Sequence, residues 1–134
     1  MNWSKAIIAG IVGGIVMTLA DYVMHGIIMA NTYAKYSEVF RQDDAGVHYF
    51  FFVGIMVAIM VAILFGKTRA VWAEGLMGGV TFGFFLGLVA YFTNFYNPLV
   101  IEGFPYYLSW CWGAINVISF LVLGAVLGLM MKKA

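Results

Sequence analysis

Two ionisable residues lie one helical turn apart inside a long apolar run near the start of the sequence. Asp21 and His25 interrupt the stretch 9–29, AGIVGGIVMTLADYVMHGIIM, which is apolar enough to cross a bilayer. At 100° per residue they share a helix face with small or slender residues, and bulky apolar side chains occupy the other face. The first face is Gly10, Gly13, Gly14 and Met17. We therefore expect this helix to turn Asp21 and His25 towards other helices rather than towards lipid.

The depth of Asp21 makes it the residue most able to do chemistry. It follows Lys5 by 16 residues, or about 24 Å along a helix, which predicts a position in the outer third of the hydrocarbon. An ionised carboxylate there costs several kcal/mol unless it is paired or hydrated. The His25 imidazole could donate to it, and Thr18 lies three residues before it. Both a neutral, hydrogen-bonded Asp21 and an Asp21–His25 ion pair are open.

Further polar residues are expected at the same depth, where the other helices begin or end. If the helices form one bundle, these side chains surround its outer mouth and form a polar pocket centred on Asp21 and His25. The predicted ligand- or proton-binding residues are Thr18, Asp21, His25, His48, Asn94, Glu102, Tyr106 and Tyr107.

Several functions fit such a pocket. The favoured one is a non-enzymatic membrane protein that binds a ligand, a lipid or a partner there. A proton-coupled transporter or channel with Asp21 as its titrating group is the first alternative. A haem or metal site using His25 and His48, with Asp21 as a further candidate ligand, is the second. A purely structural hydrogen bond from Asp21 to another helix also explains the residue. The nucleophile and phosphate-loop motifs of common enzymes are missing, so an enzyme is disfavoured and no cofactor is assigned.

The composition places the chain in a bilayer. Of its 134 residues, 64% are hydrophobic and 10% are charged, whereas soluble domains average roughly 45–50% and 25%. The net charge of +1 indicates no nucleic-acid partner. We expect the lipid bilayer as the main partner, with a second copy or a membrane complex as the protein partners left open.

Four apolar runs, each about 20 residues or longer, predict the fold. The expected spans are about 7–30, 47–65, 71–93 and 106–130 of a single transmembrane domain, 1–134. The fold class is all-α, an integral membrane four-helix bundle running up-down-up-down.

Glycine is frequent in three of the expected spans, and its spacing predicts close helix packing. Glycines four residues apart form a strip that lets two helix backbones approach. The expected packing glycines are Gly10, Gly14, Gly75, Gly79, Gly83, Gly87, Gly124 and Gly128.

The basic residues predict the orientation. Lys5, Lys67, Arg69, Lys132 and Lys133 belong to one side, whereas Lys35 and Arg41 on the other are diluted by acidic residues. The positive-inside rule then puts both termini in the cytoplasm, with the protein in a bacterial inner membrane.

Two resemblances accompany these features. Four short spans with an acid in the first resemble the small multidrug resistance transporters, but those carry Glu where Asp21 stands and have little charge bias. The whole chain is also similar to uncharacterised bacterial four-span membrane proteins. The features that carry this likeness are Met1-Asn2-Trp3, the glycines from Gly10 to Gly14, the polar residues from Asp21 to His25 and the glycine-rich helix from Gly113 to Gly128. That likeness implies a four-span fold and a membrane location, and no activity.

Overall fold

A computed structural model describes residues 1–133, and these residues form helices joined by short connections, with no strand among them. The helices are α1 (Trp3–Asp21), α2 (Ala30–Lys35), α3 (Val47–Lys67), α4 (Gly75–Thr93), α5 (Asn97–Val100) and α6 (Tyr107–Met130). A π-helical segment, Tyr22–Ile28, continues α1, and a 3₁₀ turn, Arg69–Val71, follows α3.

Four helical segments within residues 1–133 are long and apolar enough to cross a membrane. They are Trp3–Ile28, Val47–Lys67, Gly75–Val100 and Tyr107–Met130. The prediction of an all-helical chain with four helices long and apolar enough to cross a membrane is therefore confirmed, and these helices indicate an integral membrane protein.

The third span begins later than the expected position 71, because Arg69 holds the preceding segment out of the helix. Its Nη1 donates to the carbonyl oxygens of Trp72 and Ala73, at 3.2 and 3.0 Å. Its Nε donates to the Met131 carbonyl at 2.7 Å and so also holds the end of α6. The helix resumes at Gly75, whose φ of +68° is a conformation that favours glycine.

The central contact of the bundle joins α1 and α6. α3 packs along the other side of α1, and α4 packs along α6. α1 and α3 are antiparallel, because Gly10 of α1 contacts Ile59 of α3, whereas Gly14, one turn later, contacts Ile55. Apolar side chains from α1, α3, α4 and α6 fill the end where α1 begins and α6 ends, called the terminal end below; they include Ala9, Ala62, Phe65, Phe82, Leu123 and Leu127. The opposite end, called the lid end, is covered by α2 and the loop after it.

The two faces of α1 separate as its sequence predicts. Gly10, Gly13, Gly14 and Met17 are buried, whereas the bulky residues between them are exposed on the outside of the bundle. Because those exposed residues are aliphatic along the whole helix, lipid chains are the solvent that suits them.

Glycines mark the places where helix backbones come closest. A Cβ atom added at Gly79 would overlap the carbonyl oxygen of Gly124 and lie 2.7 Å from the Cα of Gly128. A Cβ at Gly14 would lie 2.6 Å from the Cα of Ile55. Seven of the eight predicted packing glycines lie at such contacts: Gly10, Gly14, Gly79, Gly83, Gly87, Gly124 and Gly128. A Cβ at Gly75 would meet nothing within 4 Å, although the Gly75 carbonyl oxygen would lie 2.5 Å from a Cβ at Gly128. The positive φ of Gly75 also favours glycine at the turn before α4.

We expect Gly79→Ala to destabilise the protein by about 1–3 kcal/mol, because the new methyl group can only be accommodated by separating the backbones of α4 and α6. Thermal unfolding in detergent, followed by circular dichroism, measures the loss. Gly26→Ala is the matched control, since its Cβ would meet only the ring of Tyr22, a flexible and exposed side chain. Equal unfolding temperatures for the parent and Gly79→Ala would contradict the close approach.

Candidate functional site

The site begins where α1 changes its winding. After Asp21 the chain follows a π-helix over Tyr22–Ile28, and the backbone N–H of Met29 donates to the carbonyl of Met24, five residues earlier, at 3.0 Å. π-helical turns inside longer helices are frequent at functional sites. Here the wider turn carries His25 and directly follows Asp21.

Asp21 binds to α6. The hydroxyl of Ser119 donates to Asp21 Oδ1, and it also lies 2.9 Å from the carbonyl oxygen of Ile115 in its own helix. Ser119 is buried, with 4% of its surface exposed, and Asp21 is half-buried. The carboxyl group therefore points from α1 towards α6, and its polar partner lies inside the protein.

His25 takes part in a second hydrogen-bonded chain at the lid end. Its Nδ1 lies 2.5 Å from the hydroxyl oxygen of Tyr33, and the indole Nε1 of Trp112 donates to the same oxygen at 2.7 Å. Because an indole N–H can only donate, the Tyr33 oxygen accepts from Trp112, and the same oxygen shares a second hydrogen bond with Nδ1 of His25.

Three aromatic side chains, called the aromatic lid, cover this chain of hydrogen bonds: Tyr33, Phe40 and Phe104. Tyr33 on α2 packs on Phe40 at a ring-centroid distance of 5.0 Å, and Phe104 packs on Trp112 at 5.0 Å. Buried apolar residues beneath it, among them Met24, Leu108 and Ile115, complete a cluster separate from the terminal-end core. Burial raises the pKa of the Tyr33 phenol above its ordinary value of 10.0, and the Trp112 hydrogen bond opposes this. The Tyr33 phenol consequently remains protonated at physiological pH.

Asp21 and His25 do not bind each other directly. The sequence predicts that the imidazole could donate to the carboxylate, whereas the structure pairs Asp21 with Ser119 and His25 with Tyr33. Asp21 and His25 are four residues apart in the chain. They form two adjacent polar contacts on one side of α1, both directed at α6 and the lid.

Thr18 lies near Asp21 but faces a different helix. It is 5% exposed, its hydroxyl has no hydrogen-bond partner, and it lies against Gly54 of α3. A side chain at Gly54 would overlap this hydroxyl. Thr18 is thus a polar contact between α1 and α3 rather than a third member of the Asp21–Ser119 pair.

The other predicted site residues lie at the lid end but are exposed. His48 packs on the ring of its neighbour Tyr49 at 4.3 Å, and Asn94 donates from Nδ2 to the Ala90 carbonyl of its own helix at 2.9 Å. None of them has a hydrogen bond to Asp21 or His25 within residues 1–133. These exposed residues are His48, Asn94, Glu102, Tyr106 and Tyr107.

The candidate metal ligands are not grouped. No set of three or more His, Cys, Asp or Glu side chains in the described part of the chain is placed to hold a metal ion. The rings of His25 and His48 pack on different partners, Tyr33 and Tyr49.

Two cavities lie at opposite ends of the bundle. One, of about 490 Å³, is an apolar groove between α4 and α6, lined by aromatic residues such as Tyr91 and Trp110. The other, of about 530 Å³, lies at the terminal end among basic side chains. Neither of these two cavities is lined by Asp21 or His25.

Sequence reasoning missed Ser119 and Trp112, which supply the partners of the site. These residues are seven positions apart and therefore share one face of α6, with Ile115 between them. That spacing is a signal in the sequence. The spacing identifies Ser119 and Trp112 as site residues only once this face of α6 is known to contact α1.

No family model, curated protein or solved structure matches this chain. The functional argument therefore depends on the residues and their geometry alone.

We expect Tyr33→Phe to destabilise the lid end by about 1–3 kcal/mol, because it leaves the Trp112 indole N–H and the His25 ring nitrogen without their shared oxygen. Thermal unfolding measures the loss, and a shift of the Trp112 indole N–H resonance in an NMR spectrum locates it. Tyr96→Phe, at a ring that is 65% exposed, is the control.

The same variant changes the dependence of stability on pH. With a pKa raised by folding, Tyr33 contributes stability that is complete below about pH 10 and is lost as the pH rises through its folded value. Tyr33→Phe lacks this contribution, so its loss of stability in alkali is shallower than that of the parent. An unmoved Trp112 resonance together with parent-like unfolding would contradict the hydrogen-bonded chain.

Proposed function

We propose that this protein is a small, non-enzymatic membrane protein that binds a lipid or another amphipathic ligand at its lid end, with Asp21 and His25 as the polar centre. The observation that carries the proposal is a pair of hydrogen bonds: Asp21 at the end of α1 binds Ser119 of α6, and His25 of the π-helical segment binds Tyr33 of α2. In this arrangement one phenol oxygen, that of Tyr33, both closes the lid and binds His25.

The lid supports binding because its contacts can be exchanged for those of a ligand. Phe40 and Phe104 pack over Trp112 without a covalent link, and α2 has only six residues. A ligand with a polar head could replace the Tyr33 hydroxyl at His25, while its apolar part lies along the bundle. Asp21 favours a head that carries hydrogen-bond donors or positive charge.

The orientation belongs to the same proposal. We infer an up-down-up-down bundle with both termini in the cytoplasm of a bacterial cell, in the inner membrane. Five basic residues lie at the terminal end of the bundle, whereas only Lys35 and Arg41 lie at the lid end. The lid end also carries four acidic residues: Glu38, Asp43, Asp44 and Glu102. The lid end then faces the exterior side of that membrane.

Co-purification tests the proposal. Native mass spectrometry of the parent protein in mild detergent should show a retained small molecule, and Asp21→Ala should reduce its retention at least tenfold. We expect this loss to exceed any loss of thermal stability, since Asp21 is half-buried and its partner Ser119 keeps a backbone acceptor in Ile115.

Two further variants separate binding from structure. Ser119→Ala removes the hydrogen bond to α6 but keeps the carboxylate, so it should keep the ligand. Asp44→Ala, in the exposed loop, is the matched acidic control. If Asp21→Ala and Ser119→Ala lower the unfolding temperature equally and neither changes retention, Asp21 is a structural residue and the proposal fails.

A proton-coupled carrier is the second candidate function. The observation in its favour is that two ionisable groups lie one helical turn apart inside the bundle, Asp21 bound to Ser119 and His25 bound to Tyr33. Asp and His side chains within membrane spans form the proton relays of pumps and transporters.

Proteoliposomes loaded with a pH-sensitive dye test this alternative. A carrier should acidify the vesicles in response to a pH gradient or a substrate, and Asp21→Asn should abolish the flux. Flux that is absent in the parent, or equal in the parent and Asp21→Asn, would exclude the carrier while leaving the binding proposal intact.

A further inference from the structure

A second polar site lies at the terminal end, at the opposite end of the bundle from Asp21 and His25. A cavity of about 530 Å³ opens between the start of α1, the end of α3 and the residues that follow α6. Its volume lies within the roughly 300–1,000 Å³ typical of ligand sites. The cavity is lined by five basic side chains: Lys5, Lys67, Arg69, Lys132 and Lys133.

Acidic groups neutralise little of this charge. Of the six acidic residues in the sequence, Glu74 is the one that the structure places against these basic residues. Its carboxylate lies 3.2 Å from Arg69 Nη2 and accepts from the backbone N–H of Lys133 at 3.0 Å. The lysine ammonium groups therefore remain as the charges that a ligand would meet.

Arg69 forms a fixed wall of the cavity. Its side chain is 10% exposed, it binds three backbone carbonyls, and its guanidinium lies 5.1 Å from the ring centroid of Phe65. This position holds the loop before α4 against the end of α6. The positive charge of Arg69 is thereby kept at the cavity with little freedom to move away.

The lysines surround the opening and remain exposed. Lys67 Nζ lies 5.8 Å from the ring centroid of Trp3, and Lys133 Nζ lies 3.4 Å from the carbonyl oxygen of Ala70. Asn2 caps α1 by accepting from the backbone N–H of Lys5 at 3.0 Å, so the positive end of the α1 dipole lies at the same opening. Trp3 is 55% exposed and apolar, as expected of a residue at a membrane interface.

We propose that this cavity binds a phosphate-bearing anion, and that the anion is the headgroup of an acidic phospholipid. Lysine ammonium groups are compact point charges that suit phosphate. Basic pockets between transmembrane helices at a membrane surface select acidic headgroups. The cavity lies at the ends of the apolar helices, where a headgroup reaches it while its acyl chains remain beside α1 and α3.

The test compares lipid retention by two matched variants. The first, Lys5→Gln/Lys132→Gln/Lys133→Gln, removes three charges from the cavity and keeps Arg69 and Glu74. The second, Lys35→Gln/Arg41→Gln, removes the two basic residues of the lid end. Each full-length protein is released from nanodiscs of phosphatidylglycerol and phosphatidylcholine, and the lipids that it retains are counted by native mass spectrometry.

The parent and the lid-end variant should retain phosphatidylglycerol over phosphatidylcholine, and the cavity variant should lose this preference. We expect a loss of at least tenfold, since each lysine near a headgroup contributes roughly fivefold in affinity. Circular dichroism confirms that the variant is folded; if it is not, Lys132→Gln alone should show a loss of about fivefold.

Inorganic phosphate distinguishes the source of the anion. In lipid-free detergent, phosphate should leave the unfolding temperature of the parent unchanged if the site needs a lipid anchored in the membrane. A rise in that temperature, absent from the cavity variant, would keep the phosphate site but overturn its assignment to lipid. Equal phosphatidylglycerol retention by all proteins, or an equal loss in the lid-end variant, would overturn the whole proposal. Neither result bears on Asp21.

Discussion

The contact between α1 and α6 is the interaction on which the rest of the structure depends. A bilayer offers no water to a polar group, so a carboxyl group at hydrocarbon depth needs a partner within the protein. Asp21 finds that partner in Ser119, and the buried faces of α1 and α6 meet beside it. α3 and α4 then pack on the outer sides of this pair, each through glycines that permit close approach.

The two ends of this bundle have different chemistry for a physical reason. At the lid end, the hydrogen-bonded side chains of His25, Tyr33 and Trp112 are partly buried among aromatic rings. At the terminal end, four of five basic side chains are exposed around a cavity, and only Arg69 is buried. The polar groups of the lid end are therefore bound to one another within the protein, whereas the lysines of the terminal end face outward.

Arg69 both binds the backbone at the terminal end and places a positive charge beside the basic cavity. Its guanidinium fills the space between Phe65 and three carbonyl groups, and it interrupts the helix that hydropathy alone extends back to position 71. The interruption gives the chain the turn it needs between α3 and α4, and it brings Lys67 and Lys133 to the same cavity.

Hydrophobicity and helical periodicity are local properties of the chain, so the sequence alone predicts four apolar helices and the two faces of α1. Asp21 could also be selected from the sequence, because a single acid in an apolar run can be recognised without knowing its neighbours. The hydrogen-bond partners could not: Asp21 binds Ser119, His25 binds Tyr33, and Tyr33 binds Trp112, while His48 and Glu102 are exposed. These pairings join residues far apart in sequence, and only the packing of one helix on another brings them together.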